Sequence, residues 1–412
     1  MRIVTAAFWN LFCQGVLSAC SFLLNLLLVR VLLPTQFGHF ALLVGIFYLL
    51  SCVSQSLISY PATLRLGRAP EELPTVFGEA LSATLPLSLA LAAGIGIFAA
   101  LQAGSAVALA ASASFVGLQL QGTSRRALIA AGRFYLCVFC DGIAYIAGVA
   151  AIAATAYWHG IDLVTVFTIQ SIAYVASVIA SAWFSGARFP ARLSRSLSFI
   201  RTHWRLSAPT LSCSVIDALA AQLGLYAVAF LCGSAETAVF AAAVVPTSVL
   251  NPLGLAMVNT MLPRVSAASR ISFEEAKRTA VRVAALYGAP YLAVVAVIAT
   301  WSGPALQAMS GHGHAAHYAG AGAVVRWLCI ANACLFFFTC VQSFLLAIGR
   351  SKLALAMQLG RLLGMAGFSL LLVRGNGAIG AAQAATLAAC AGLLTWRSAA
   401  TLAFRRLAAR RA

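Results

Sequence analysis

The feature that most constrains this chain is a series of apolar runs, each about 20 residues long, separated by short charged or Gly/Pro-containing breaks. A helix needs about 20 mostly apolar residues to cross a bilayer core of about 30 Å. The runs predict helices near residues 6–29, 39–61, 77–100, 105–123, 135–156, 163–184, 207–232, 237–261, 280–301, 323–347, 353–373 and 377–396. The sequence therefore predicts an all-α integral membrane protein with about twelve transmembrane helices.

The charge of the chain has to be interpreted against its apolar character. Hydrophobic residues make up 62% and charged residues 9%, and the formal net charge is +18. In so apolar a chain, basic residues typically mark cytoplasmic loops, so we expect no nucleic-acid partner. The 11 cysteines are scattered singly through apolar runs and are predicted to behave as small hydrophobes. Cys137 and Cys140 form a lone CxxC for which neither redox nor zinc chemistry is expected.

Basic residues also predict the topology. With the N-terminus inside, inner segments hold 23 of the 27 Lys and Arg residues, including Arg125 and Arg126 after the fourth helix. The four others are Arg30, Arg326, Arg361 and Arg374. This bias predicts that both termini are cytoplasmic and that the number of passes is even.

The second half of the sequence repeats features of the first. LIAAGRFYL, residues 128–136, and LLAIGRSKL, residues 345–353, share Leu, Ala, Gly, Arg and Leu in register, each after the fourth helix of its half. We therefore predict two domains, a six-helix bundle at 1–200 and another at 201–412, arranged around a central cavity and related by an axis along the membrane normal.

Polar side chains form a stripe on the first helix of each half. On helix 1 the spacing of three and four places them on one face, and helix 7 repeats the pattern. The residues are Asn10, Gln14, Ser18, Ser21 and Asn25 on helix 1, and Ser207, Thr210, Ser214 and Asp217 on helix 7. Such groups either hydrogen-bond helix to helix or face water, and the equivalent stripes favour a shared water-filled cavity.

Charges inside the predicted helices are candidates for function because they are costly in a bilayer. Asp217 could carry H+ or Na+, pair with a cavity arginine, or hydrogen-bond locally at a bend. Arg361 lies well inside helix 11, whereas Arg326 lies where its side chain could simply reach the interface. Asp141 is predicted to be solvated or interfacial. In the loop GHGHAAHYAG, His312, His314 and His317 have metal-like spacing, but without acidic or Cys partners no metal site is expected.

Two segments resemble a known family. RVLLPTQFGHFALLVGIFYLL, residues 30–50, resembles the first helix-to-helix turn of polysaccharide and O-antigen flippases (Wzx-type), members of the multidrug/oligosaccharidyl-lipid/polysaccharide exporter superfamily. QSFLLAIGRSKLAL, residues 342–355, resembles the segment between helices 10 and 11 of that family. With twelve helices in two halves, the resemblance covers essentially the whole chain.

The resemblance implies a multi-pass flippase of the bacterial inner membrane, not an enzyme. Its substrate would be an undecaprenyl-diphosphate-linked oligosaccharide, moved to the periplasmic face by alternating access for O-antigen, capsule or exopolysaccharide synthesis. The resemblance implies membrane lipid as a partner and leaves open whether polymerase machinery is another. It implies no cofactor and leaves open whether transport is coupled to H+ or Na+. By position, binding of the diphosphate falls on Arg30, Arg326 and Arg361, beside the polar residues Asn10, Gln14, Asn25, Thr210 and Ser214. Arg30, which faces about 140° away from the helix 1 stripe at 100° per residue, could instead anchor the helix end.

Two other classes of function compete with this interpretation. A membrane glycosyltransferase would need an acidic pair or a sizeable outer loop, whereas the predicted outer segments contain only Asp162 and Glu236 as acids. A cation-coupled multidrug exporter of the same fold should have acidic or aromatic cavity residues. The predicted map instead leaves three arginines near the cavity and one central acid, Asp217.

Overall fold

In the computed structural model every regular element of the described residues, 3–189, 193–303, 318 and 320–409, is helical. Ten of these helical segments are long and apolar enough to cross a membrane. Large apolar side chains also point outward, as a helix bundle in lipid requires: Leu101, Trp183 and Leu371 are 81%, 81% and 75% exposed. The predicted all-α membrane fold is confirmed.

By their internal contacts the residues form two compact units, 1–218 and 219–412. This division falls inside a continuous helix, whereas the sequence places the domain boundary between residues 200 and 201.

The described residues of the first unit form eight α-helices and part of a ninth. They are α1 (Ile3–Val31), α2 (Pro34–Ser54), α3 (Tyr60–Arg68), α4 (Leu73–Ala103), α5 (Ser105–Ala130), α6 (Phe134–Asp141), α7 (Gly148–His159), α8 (Leu163–Ser185) and the beginning of α9 (Leu193–Cys232). A π turn, Gln55–Ser59, joins α2 to α3 without a break, and a second, Gly142–Ala147, joins α6 to α7. Each of these joined pairs is one continuous apolar span.

Among its described residues, the second unit continues α9 and adds five α-helices. They are α10 (Ser234–Thr247), α11 (Asn251–Ser269), α12 (Phe273–Thr300), α13 (Ala321–Ala347) and α14 (Ser351–Ala409). A 3-10 turn, Ser248–Leu250, joins α10 to α11. α14 consists of two consecutive helices, because Gly377 interrupts it with a non-helical φ of 54° and ψ of −132°.

The ten segments and the predicted dozen differ at two places. The apolar stretch Ser351–Thr395 contains two predicted helices that Gly377 separates. Helix α5 is 26 residues long but does not qualify as an apolar segment, because glutamines and arginines occupy its second half. Counting both, the described residues provide the twelve passes that the sequence predicts.

The repeated Gly-Arg turn has the same backbone geometry in both halves. Gly132 and Gly349 adopt φ of +72° and +75°, which a residue with a Cβ adopts only at a cost. The next residue closes a helix C-cap in each case: Arg133 N–H donates to Leu128 O at 2.9 Å, and Arg350 N–H donates to Leu345 O at 2.8 Å. The sequence repeat is therefore also a structural repeat.

A hydrogen bond from Ala378 to Glu236 stabilises the helix break at Gly377. The carboxylate of Glu236, near the start of α10, accepts a hydrogen bond of 3.0 Å from the backbone N–H of Ala378. That N–H is one of the unpaired donors at the beginning of the last helix, so the carboxylate caps it. A Cβ on Gly377 would lie 2.5 Å from Oε1 of Glu236.

Candidate functional site

A cavity of about 380 Å³ lies inside the first unit. It is enclosed by α1, α2, α5, α7, α8 and both π turns, and polar side chains form much of its wall. Those polar residues are Ser21, Asn25, Ser51, Ser54, Gln55, Ser59, Ser114, Gln119, Gln121, Thr123, Arg125, Arg126 and Gln170. So many polar groups among membrane helices are expected only around a cavity that admits water or a ligand.

One end of the cavity contains a buried ion pair. Arg125 on α5 donates from Nε to Oδ2 of Asp141 at 2.9 Å. The Asp141 side chain is 1% exposed and that of Arg125 14%. The prediction that Asp141 is solvated or interfacial is wrong: it ends α6 next to the second π turn, where α1, α5 and α8 cover it.

Gln121 connects this ion pair to the second π turn. Its amide nitrogen donates to Oδ1 of Asp141 at 2.9 Å, and its carbonyl oxygen accepts from the Tyr145 hydroxyl at 2.9 Å. Both oxygens of Asp141 are thereby occupied by donors. The network holds the Arg125 guanidinium in a fixed position at the cavity wall.

A second glutamine is fixed by serines of α2. Gln119 donates to Oγ of Ser51 at 2.9 Å, and its Oε1 accepts from Ser54 at 2.7 Å. Ser51 in turn donates to the Phe47 carbonyl at 2.6 Å. This part of the wall is saturated by internal hydrogen bonds.

Other polar groups of the wall are not saturated. Arg125 Nη2 and Ser114 Oγ are buried and have no hydrogen-bond partner in the described part of the chain. Arg126 is half-buried beside Arg125, and no acidic side chain of the described residues forms an ion pair with it. The cavity therefore offers unpaired donors and one guanidinium whose charge is not balanced.

Both π turns lie at this cavity. Gln55 and Ser59 come from the first, and Ala144 and Tyr145 from the second. In a π turn the backbone hydrogen bond spans one residue more than in an α-helix, and such turns occur frequently at functional sites. Their presence on two sides of one cavity supports a functional role for it.

Aromatic rings pack at the other end of the cavity, at the level of Ser114. Phe47 lies 5.3 Å from Phe115 and 5.8 Å from Phe167, measured between ring centroids, and Phe40 lies 5.6 Å from Phe167. Phe115 and Phe167 are completely buried. At 1.5 Å per helical residue, Ser114 lies about 16 Å along α5 from Arg125.

The helix 1 stripe is only partly at the cavity. Asn25 and Ser21 line it, and Asn25 Nδ2 donates to the Ser21 carbonyl at 2.8 Å. Gln14 is half-buried on α1 but is not part of the described lining. Asn10 is on α1, and its side chain lies outside the described part of the structure.

The predicted arginines are on three different helices. Arg30 is exposed in the last turn of α1. Arg326 is exposed near the start of α13, beside a shallow hollow formed with Thr300 and Ser302. Arg361 is half-buried on α14, with its guanidinium carbon 5.5 Å from the Phe338 ring centroid. This cation–π contact accounts for a charge on an apolar helix without requiring a substrate.

The helix 7 stripe lies on α9. Thr210, Ser214 and Asp217 are half-buried there. Their roles in binding and ion coupling stay predictions, as does the central cavity shared by the two halves. His312, His314 and His317 lie outside the described residues.

Sequence reasoning missed the residues that now define the candidate site. The sequence predicts that this helix ends at 123 and thus places Arg125 and Arg126 in an inner loop. That end is wrong, since α5 continues to Ala130. The sequence does contain a signal for the longer helix. Polar residues occupy positions 119, 121, 123, 125 and 126, and no Gly or Pro follows Gly122 to end the helix among them.

Sulfur atoms also lie near the ion pair. Cys13, Cys137 and Asp141 have potential metal-ligand atoms within 4.8 Å of one another. The guanidinium of Arg125 at 2.9 Å opposes a cation there, and Arg125 and Gln121 already occupy both carboxylate oxygens. We therefore interpret Cys137 and its neighbour Cys140 as buried apolar side chains.

No known family profile and no curated protein sequence matches the chain. Solved structures do. The lipid II flippase MurJ in an inward closed conformation has a TM-score of 0.73 at 13% identity, covering 97% of this chain and 87% of its own. An inward-facing multidrug resistance MATE transporter of the MOP superfamily has 0.71 at 17%, covering 93% and 95%.

A third structure, a MOP superfamily transporter from Pyrococcus furiosus described as having a binding pocket of reverse polarity, has a TM-score of 0.66 at 15% identity, covering 96% of this chain and 94% of its own. At these identities the similarity shows the fold: the chain has the architecture found in MurJ and MATE structures.

Proposed function

We propose that this protein is a transporter that moves an undecaprenyl-diphosphate-linked oligosaccharide from the cytoplasmic to the periplasmic face of the bacterial inner membrane. The product would serve O-antigen, capsule or exopolysaccharide synthesis. The MurJ-like and MATE-like fold supports transport by alternating access, and a lipid II flippase with this fold makes a lipid-linked substrate reasonable.

The charge of the first unit's cavity is the observation that carries this proposal. Its described lining has two arginines and no acidic residue, and the adjacent Asp141 is ion-paired with Arg125. Arg126 thus adds about one unbalanced positive charge. A cavity of this sign attracts anionic substrates and repels the cationic drugs of a multidrug exporter.

Arg30, Arg326 and Arg361 stay our sequence-based candidates for binding the diphosphate. An arginine stays charged in a low dielectric, and its planar fork matches phosphate oxygens. Polar groups of α1 and α9, from Asn10 to Asn25 and from Thr210 to Ser214, would line the path. Both termini would be cytoplasmic, and polymerase machinery would receive the product.

The membrane potential can drive this movement. An inside-negative potential is worth about 2.3 kcal/mol per charge per 100 mV, or about 4–5 kcal/mol for two phosphate charges. Energetics therefore do not require a coupling ion, although Asp217 is our candidate to carry H+ or Na+.

The second candidate is a cation-coupled multidrug exporter, because MATE transporters have the same fold over 93% of this chain. Deleting the gene distinguishes the two. The flippase proposal expects undecaprenyl-linked oligosaccharide to accumulate on the cytoplasmic side, and a plasmid copy of the gene to reverse this. Normal lipid-linked oligosaccharide together with raised sensitivity to cationic dyes would replace the first proposal by the second.

A further inference from the structure

We propose that the cavity of the first unit binds one sugar ring together with an adjacent anionic group. The anionic group would lie on Arg125 and Arg126, and the ring hydroxyls on the polar groups towards Ser114. This inference deepens the proposed function, on which it rests for the identity of the natural substrate.

The anionic part follows from charge balance. Two guanidinium groups on consecutive residues repel each other, and Asp141 neutralises only Arg125, to which it is bonded at 2.9 Å. The buried Nη2 of Arg125 has no hydrogen-bond partner among the described residues. One carboxylate or phosphate placed between this Nη2 and Arg126 would satisfy the donor and balance the second charge.

The sugar part follows from the neutral polar groups. Ser114 is completely buried, and within the described part of the chain its hydroxyl has no hydrogen-bond partner. The amides of Gln55 and Gln170 also line the cavity, and within the described residues neither makes a side-chain hydrogen bond. Hydroxyls and amides that both donate and accept match sugar hydroxyls, whereas a bare inorganic anion would leave them unpaired.

Size and shape set the length of the ligand. At about 380 Å³ the cavity is near the lower limit of about 300–1,000 Å³ for small-molecule pockets, so it cannot enclose a complete lipid-linked oligosaccharide. The rings of Phe40 and Phe47, which belong to the lining, offer apolar surfaces for the C–H faces of a sugar. The cavity therefore fits one end of a glycan or the sugar next to its phosphate.

Two parts of a lipid-linked oligosaccharide have this chemistry. One is the first sugar, which carries the phosphate of the lipid carrier at its anomeric carbon. The other is an acidic sugar with a carboxylate. Glucose 1-phosphate and glucuronate represent them as soluble probes.

The test measures binding to the purified full-length protein in detergent by isothermal titration calorimetry. The probes are glucose 1-phosphate, glucuronate, glucose and inorganic phosphate. We expect one of the two anionic sugars to bind at least about tenfold more tightly than glucose or phosphate. Preference for glucose 1-phosphate assigns the cavity to the carrier-linked sugar, and preference for glucuronate assigns it to an acidic sugar.

Three variants connect binding to the residues. Arg126→Gln should weaken binding of the anionic sugar about 10- to 100-fold, the range for a lost charged hydrogen bond. Ser114→Ala should weaken binding of the sugar but not of phosphate. The matched control is Arg133→Gln, because Arg133 is exposed and lies outside the lining, and its guanidinium donates to the Tyr135 hydroxyl at 3.2 Å.

Several results would overturn the inference. If phosphate binds as tightly as either anionic sugar, the cavity does not recognise a sugar ring. If Arg126→Gln binds the anionic sugar as tightly as the wild type, Arg126 does not form the anion site. If Arg126→Gln does not fold, Arg126→Lys keeps the charge without the fork, and full affinity in that variant would contradict the geometry. These outcomes do not depend on the deletion experiment, so the inference and the proposed function can fail separately.

Discussion

Replacing Asp141 by Asn tests the buried ion pair. The change keeps the shape but removes the charge from a side chain that is 1% exposed and accepts hydrogen bonds from Arg125 and Gln121, each at 2.9 Å. The amide group would have to direct either an N–H or a neutral oxygen towards Arg125 Nε. The guanidinium, itself 14% exposed, would keep its charge without a counter-ion.

Breaking a buried pair in this way costs about 3–5 kcal/mol of unfolding free energy. At about 2–4 °C per kcal/mol for a unit of this size, the melting temperature should fall by about 6–20 °C. The measurement is thermal unfolding of the purified protein in detergent, followed by tryptophan fluorescence. Glu71→Gln is the matched control: Glu71 is exposed, makes no ion pair among the described residues, and should change stability by under about 0.5 kcal/mol.

A double-mutant cycle separates the pair from general damage. Arg125→Met removes the other charge, and the double variant Arg125→Met with Asp141→Asn leaves neither charge buried. The double variant should therefore cost less than the sum of the single variants, by about 0.5–3 kcal/mol. Additive costs, or an Asp141→Asn protein as stable as the wild type, would refute the interpretation of this contact as a buried, mutually dependent pair.

Three further predictions concern glycines with positive φ and a helix N-cap. Gly377→Ala should lower the free energy of unfolding by about 1–3 kcal/mol, because the residue has positive φ and its Cβ would meet Glu236; Gly375→Ala, which meets nothing within 4 Å, should have little effect in the same unfolding assay. Gly132→Ala and Gly349→Ala should each cost about 1–2 kcal/mol, and an unchanged melting temperature in either would contradict their left-handed geometry. Asp162 caps α8, and hydrogen bonds from the hydroxyl and backbone N–H of Thr165 lower the pKa of its carboxyl. Asp162→Ala should thus lower the free energy of unfolding by about 0.5–1 kcal/mol at pH 7. This loss should fade as the pH falls below about 4 through the folded-state pKa of Asp162. A loss that does not change with pH would exclude the charged cap.

The sequence predicts the fold well where physical rules are simple. Bilayer thickness fixes the length of each apolar run, so the passes are recognisable, and the Gly-Arg repeat marks equivalent turns because only glycine adopts that φ cheaply. Each half thus has its helices in the predicted order.

The candidate site is less predictable from the sequence, for a physical reason. Arg125, Arg126 and Asp141 are charged, and a charge near a helix end suggests a loop unless its counter-charge is known. That counter-charge lies 16 positions away and becomes a neighbour only when α5 and α6 pack. Asn25 is predictable as a candidate because its stripe is periodic within one helix, whereas the cavity combines residues from several helices.

The two π turns carry a consequence for comparing this chain with others. A π turn holds one more residue than the α-helical turn it replaces, and the helix on either side keeps its faces. A protein with the same bundle but no such cavity should therefore align with this chain through a single-residue gap at Gln55–Ser59, at Gly142–Ala147, or at both. The presence or absence of the one extra residue in each π turn therefore marks the site in a sequence alignment alone.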